Sequence, residues 1–246
     1  MSTPVEPRAG VASPAERVNG LDWSAIGAGL DEVGIAVTGP VLTGQECAGL
    51  RLSFDDDARF RSTVDMARHR FGAGVYRYFD YPLPDLVDSL REGLWPHLLP
   101  VARQWAQRRG QSDRWPDTLA EWLENCAAAG QLRPTPLMLR YGPGDWNALH
   151  RDLYGDLVFP LQVVFGLDEP NVDYTGGEFV VVEQRPRAQS RATTTVIPKG
   201  HGLVLTTRDR PIRSSRGWSS APIRHGVSTV RSGRRHTLGI IFHDAT

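Results

Sequence analysis

The hydrophobic pattern changes period near residue 135. Before that point apolar side chains recur at helical intervals. Trp23, Ile26 and Leu30 predict a helix over Leu21–Leu30, and Thr43 with Glu46 has capping-box spacing ahead of Cys47, Leu50 and Leu52. Leu86–Gln107 and Asp117–Ala129 read as two further helices, punctuated by Pro82, Pro84, Pro116 and Pro134. The run Gly34-Ile-Ala-Val37 looks extended in this half. Beyond it come short β-branched runs separated by Gly, Pro, Asp and Asn: Pro136–Tyr141, Val158–Leu167, Glu178–Glu183, Thr193–Ile197, Gly202–Thr207 and Thr237–Phe242. Strands so short and so spaced predict a sandwich or jelly roll, mainly β with α, buttressed on one face by the N-terminal helices.

The 246 residues suit one domain over 21–246, with helical support in 21–134 and the jelly-roll core in 135–246. Residues 1–20 read as a disordered tail, since no basic segment leads into an apolar run as in a signal peptide. Apolar runs are too short to span a bilayer, so a cytoplasmic location without membrane contact is expected. Cys47 and Cys126, far apart and in helical contexts, read as reduced buried thiols. The 28 basic side chains balance 28 acidic ones. That excludes a protein that coats nucleic acid through overall charge; any such contact must be local.

Candidate chemistry gathers in the β half. His150-Arg151-Asp152 sets an imidazole and a carboxylate on one face of an extended segment. Alone, such a pair arises by accident in about one chain in three of this composition. It gains weight from His225, because two His and one carboxylate on one face of a metal leave three positions open for a bidentate cosubstrate and dioxygen. After the turn signal Ser232-Gly233, Arg235 starts the last strand and offers a forked cation for a cosubstrate carboxylate. Alternation puts Thr237 on its face and His236 on the other.

These residues carry a resemblance. Tyr141-Gly-Pro-Gly-Asp145, His150-x-Asp152, Gly176-Gly177-Glu178, and His225 with Gly233-x-Arg235 resemble the Fe(II)/2-oxoglutarate-dependent dioxygenase superfamily with prolyl-hydroxylase-like spacing. Met66–Gly72, Tyr76–Phe79, Tyr81–Asp85, His150–Gly155, Gly177–Phe179, Glu183–Arg187 and Arg235–Asp244 are similar to a bacterial oxygenase family described as acting oxidatively on damaged DNA. The resemblance implies a double-stranded β-helix binding Fe(II) through His150, Asp152 and His225. It also implies 2-oxoglutarate held by Arg235, with Thr237 and Tyr141 beside it, and O2 as the oxidant. A nucleobase-containing substrate, either alkylated DNA or a free nucleotide, would be hydroxylated or oxidatively demethylated with release of succinate and CO2. Nucleotide-acting halogenases of the superfamily carry Gly or Ala at the position of Asp152, so hydroxylation rather than chlorination is expected.

Several residues stay open between site and scaffold. Tyr141, Tyr154 and Gln162 are candidates to orient the ligands by hydrogen bonds. Tyr76 and Tyr78 could stack on a base, and alternate aromatics are also good strand formers. Arg213, Arg216 and Arg224 belong to a run from Arg208 to Arg235 with Asp209 as its single acid, and could hold phosphates or form a solvated loop. Other readings are a tailoring enzyme on a free nucleotide in secondary metabolism, a peptide or small-metabolite hydroxylase, and a non-catalytic jelly-roll binding module.

Overall fold

The computed structural model describes residues 12–152, 154–185, 188–215 and 217–246. Five helices occur: α1 (Pro14–Asn19), α2 (Trp23–Val33), α3 (Gly44–Ser53), α4 (Asp85–Arg108) and α5 (Leu119–Ala128). The strands in chain order are β1 (Ile35–Pro40), β2 (Phe60–Asp65), β3 (Gly72–Ala73), β4 (Val75–Phe79), β5 (Leu137–Tyr141), β6 (Trp146–His150), β7 (Leu161–Gly166), β8 (Tyr174–Gly176), β9 (Phe179–Glu183), β10 (Arg191–Thr195), β11 (His201–Thr206), β12 (Asp209–Ser214), β13 (Gly217–Val227), β14 (Val230–Gly233) and β15 (Arg235–Ile241). A larger sheet runs β1-β11-β7-β15-β5-β4-β2. A smaller one runs β10-β9-β13-β6-β3, with β12 added to β13, and β14 pairs with β8. Their ladders are antiparallel, as the jelly-roll reading requires.

The larger sheet is buried on both faces. Leu238 and Ile240 of β15, with Met138, Val163, Phe165 and Val204 of its neighbours, join the helical core built from Leu90, Leu94, Trp95, Leu98 and Trp105 of α4. The opposite face carries Val164, Leu203 and Leu205 toward Phe179, Val181, Ile223 and Val227 of the smaller sheet. This explains why β7 and β15 are buried along their whole length rather than at alternate positions. Two buried ion pairs tie the layers together. Arg91 of α4 meets Asp244 at 2.8 Å and the Ile241 carbonyl at 2.9 Å. Arg210 of β12 meets Glu183 at 2.6 Å and caps the end of α2 through the Asp31 and Glu32 carbonyls.

Three expectations change. The tail expected to reach residue 20 is shorter: Ser13 and Glu16 form a capping box, and α1 packs on α4 through buried Val18. The N-terminal half is more than helical support, since β1, β2 and β4 extend the larger sheet and β3 the smaller. Strand formation in β4 follows from its alternating aromatics, and its pairing with β5 is a long-range contact that local periodicity does not reveal. The Arg-rich stretch is no solvated loop either. β12 and β13 form a hairpin that turns Ile212, Ala221 and Ile223 inward.

Candidate active site

His150 ends β6 and His225 lies opposite it on β13, so the ladder itself brings the imidazoles together, with ring centroids 4.4 Å apart. The ladder shifts register between His225 and Val227, where only glycine fits: a methyl group on Gly226 would lie 2.5 Å from the Asn147 carbonyl oxygen. Phe179 of β9 stacks on the His225 ring at 5.5 Å and limits its rotation. Asp152 follows β6 and points its carboxylate between the two rings, Oδ2 at 3.0 Å from His225 Nε2 and Oδ1 at 3.5 Å from His150 Nε2. One donor atom from each residue lies within 4.8 Å of the others.

The surroundings prepare these groups for a cation. His150 Nδ1 sits 2.8 Å from the Ala148 carbonyl, which can only accept, so the proton is on Nδ1 and the Nε2 lone pair is free. Asp152 accepts from the Tyr154 hydroxyl at 2.9 Å through Oδ1 and from Gln162 Nε2 at 2.6 Å through Oδ2. Tyr78 donates in turn to Tyr154 at 3.1 Å. Burial opposes ionisation of Asp152, but His225 and His150 outweigh it and hold the carboxyl well below the usual range. Burial takes His225 down, whereas at His150 the Asp152 carboxylate outweighs burial and takes the imidazole up. An anionic carboxylate, a preset His150 tautomer and two imidazoles whose Nε2 atoms face that carboxylate form a donor set suited to a divalent metal.

A cavity of about 440 Å³ opens over this cluster, floored by the inward positions of the larger sheet: Arg235, Thr237, Gly239 and Ile241 of β15, with Leu137, Leu139 and Tyr141 of β5. Arg235 is 2% exposed and has no described carboxylate within ion-pair distance, and its guanidinium lies over Tyr141 and Tyr174 at 5.6 and 6.0 Å. Its approach depends on Gly177 at φ +64°, where a side chain would press on Arg235 Cδ at 2.9 Å. Tyr141 is buried beside it, holds Asn147 at 3.2 Å, and has its hydroxyl pushed up to about 12 by burial.

Of the expected residues, His150, Asp152, His225, Arg235, Thr237, Tyr141, Tyr76, Tyr78, Tyr154 and Gln162 share this one cavity. Of the arginines weighed as phosphate holders, Arg213 and Arg224 do not. Arg213 stacks on Trp218 at 4.2 Å in the β12–β13 hairpin, and Arg224 is exposed on the far side of β13 because it alternates with inward His225. Arg216 lies outside the described residues. Arg70, Phe71, Asn147, Arg151 and Phe179 line the cavity without having been expected there. A signal existed for Arg151, inside the His-x-Asp motif, but none for Asn147, which alternation sets on the opposite face of β6 from His150. Of the remaining histidines, His236 bonds Asp168 at 2.9 Å, His97 stacks on Trp23, His201 meets the Thr38 carbonyl, and the Phe159 amide donates to His243 at 3.3 Å, while His69 stacks on Phe71.

Comparison with known proteins adds three findings. Two uncharacterized proteins of Mycobacterium tuberculosis, from strains CDC 1551 / Oshkosh and ATCC 25618 / H37Rv, are each 61% identical over 167 residues, 68% of this chain and 72% of theirs. In fold, the chain is similar to a prolyl hydroxylase from Trichoplax adhaerens solved with a hypoxia inducible factor oxygen degradation domain peptide fragment (TM-score 0.56, 14% identity, 93% of this chain and 91% of that one). It is likewise similar to a Pseudomonas putida prolyl-4-hydroxylase (TM-score 0.51, 14% identity, 91% and 99%). The family model Oxygenase-NA, described as "Oxygenase, catalysing oxidative methylation of damaged DNA", matches residues 74–245. That match takes in every residue named around the cavity except Arg70 and Phe71, and with it the chain belongs to this oxygenase family, with the fold it shares with the two prolyl hydroxylases.

Proposed function

We propose that the protein hydroxylates a C–H bond on a nucleobase-containing substrate, alkylated DNA or a free nucleotide. His150 Nε2, His225 Nε2 and one oxygen of Asp152 would hold Fe(II). Arg235, with Thr237 and Tyr141, would hold the distal carboxylate of 2-oxoglutarate. The observation that carries the reading is Arg235: a buried guanidinium without a described counter-ion, opening onto the same cavity as the His-Asp-His cluster. An uncompensated buried charge is costly, and an anionic cosubstrate removes the cost. A binding module without turnover would have no use for such a clamp.

Bound iron with 2-oxoglutarate and O2 supplies the oxidising power to insert one oxygen atom into a C–H bond, giving succinate and CO2. The chain's residues hold and orient. Tyr154 and Gln162 fix the Asp152 carboxylate, the Ala148 carbonyl fixes the His150 tautomer, and the Tyr76–Tyr78–Leu137–Ile241 wall excludes water. If the hydroxylated carbon is an N-methyl group, the resulting hemiaminal splits into formaldehyde and amine. Oxidation then removes the methyl. Asp152 fills the place a halide would need, so hydroxylation rather than halogenation follows. Buried free Cys47 and Cys126 fit a reducing compartment, and we place the enzyme in the cytoplasm; no described helix is long and apolar enough to cross a membrane.

The test is substrate-stimulated succinate release with N-methylated nucleosides, nucleotides and single-stranded oligonucleotides against proline-containing peptides and free amino acids. Stimulation confined to the nucleobase group is expected. Stimulation confined to peptides would replace the reading with a peptide hydroxylase.

A further inference from the structure

Besides Arg235, two arginines that line the cavity have no described carboxylate within ion-pair distance, although acids and bases are equal in number along the chain. Arg151 stands between His150 and Asp152 in the chain, half-buried, and its Nε is shielded from solvent with no hydrogen-bond partner among the described residues. Arg70 is exposed at the opening. It adopts a left-handed backbone (φ 60°) at the end of the 3-10 turn Met66–His69, whereas its neighbour Arg68 is paired with Asp65 at 3.3 Å. That turn is pinned to the metal-bearing strand. The Phe71 amide donates to the Met66 carbonyl at 3.1 Å, and the Phe71 carbonyl accepts from the Ala148 amide at 2.8 Å.

The same rim exposes apolar rings and chains. Phe71 is 49% exposed while lining the cavity, with His69 stacked on it at 5.5 Å and 20°, and Leu149 is exposed beside it. Large apolar groups left in water at a cavity mouth mark a contact surface rather than a core. Flanked by guanidinium forks they suit a flat ring attached to an anion: the ring stacks, and the fork takes the anion through paired charge-assisted hydrogen bonds.

We infer that Arg70 and Arg151 form a phosphate clamp at the cavity mouth, with Phe71 as the stacking surface for a base. The clamp rests on the nucleobase reading and deepens it, since it requires a substrate with a phosphate next to the base. Phosphate contacts fix register while the base enters the cavity. That role falls to these two arginines and not to Arg213 or Arg224, which face elsewhere.

The test is equilibrium binding of fluorescein-labelled single-stranded octathymidylate to the full chain loaded with Mn(II) and 2-oxoglutarate, read by polarisation across a salt series. Arg70→Ala and Arg151→Ala should each weaken binding about tenfold and lower the salt slope by about one, and Arg70→Lys should recover most of the slope. Competition then separates the sources of phosphate. Displacement by thymidine 5′-monophosphate but not by thymidine points to a free nucleotide, and displacement by unlabelled oligomer alone points to a strand; either supports the clamp. Unchanged binding and slope in both Ala variants, or equal displacement by thymidine and its monophosphate, would overturn it. If nucleosides stimulate succinate release but the clamp variants bind like wild type, the clamp falls and the proposed function stands. If the variants lose binding as expected while no nucleobase compound stimulates turnover, the proposed function falls and the anion site stands.

Discussion

Arg91 and Arg235 are both almost wholly buried, and both lie against β15, yet their surroundings differ in kind. On the helix-facing side, Arg91 is saturated by Asp244, the Ile241 carbonyl and the Tyr81 hydroxyl. On the cavity side, Arg235 has tyrosine rings and an unpartnered Nε among the described residues. A guanidinium matched to a carboxylate belongs to the scaffold. One buried without such a match is held ready for a ligand that brings the carboxylate, and the molecule tolerates the unfavourable charge there because the antiparallel sheet is stabilised elsewhere.

The metal-side account breaks most sharply at Asp152. Asp152→Ala should cut 2-oxoglutarate turnover at least about a thousandfold while the melting temperature holds, since the cavity loses a charge rather than packing; retained turnover would remove the carboxylate from the ligand set. On the scaffold side, Asp244→Ala leaves Arg91 buried and unpaired and should destabilise the fold by about 3–5 kcal/mol in urea unfolding. Arg235→Met should cost little or stabilise. Equal losses in the two variants would erase the distinction between the sides of the sheet.

A third effect is pH-dependent. His243 is buried beside Arg91, and burial first, with Arg91 second, brings its pKa from 6.5 to about 4. Between these values the unfolded chain binds a proton that the native state refuses. Stability is therefore complete above pH 6.5 and falls as pH drops toward 4, by roughly 3 kcal/mol. His243→Gln should flatten that part of the stability curve. An unchanged curve would show that the ring is not held neutral. The smallest effect belongs to Tyr154→Phe, which removes one hydrogen bond to Asp152 and should weaken Co(II) binding about tenfold in a calorimetric titration, with unfolding nearly unchanged.

The β half and the donor set were legible because each follows from a local rule. Short β-branched runs between turn residues mark β5, β7, β9, β11 and β15, and the His-x-Asp pair shares a face in any extended segment. Strand β2 was hidden by its position among helices and β4 showed only as alternate aromatics, and only pairing with the distant β5 fixes them in the larger sheet. The phosphate-binding arginines were sought by charge density, which ignores facing. Alternation from inward His225 already turns Arg224 away, just as it sets Thr237 beside Arg235. Arg70 and Phe71 fall within the family-like run Met66–Gly72, but their place at the cavity could not be read, since a left-handed turn pinned to β6 through Ala148 leaves no periodic trace.

The central claim is that one cavity holds Fe(II) at the His-Asp-His cluster and 2-oxoglutarate on Arg235. Anaerobic titration of 2-oxoglutarate into the Fe(II)-loaded protein, followed by the charge-transfer absorption that chelation produces, tests both halves together. A saturable band with one equivalent bound is expected in the wild type, absent in Asp152→Ala, and displaced in Arg235→Ala to about a hundredfold higher 2-oxoglutarate, the loss of a bidentate charge-assisted pair. No band in the wild type, or an unshifted midpoint in Arg235→Ala, would contradict the account.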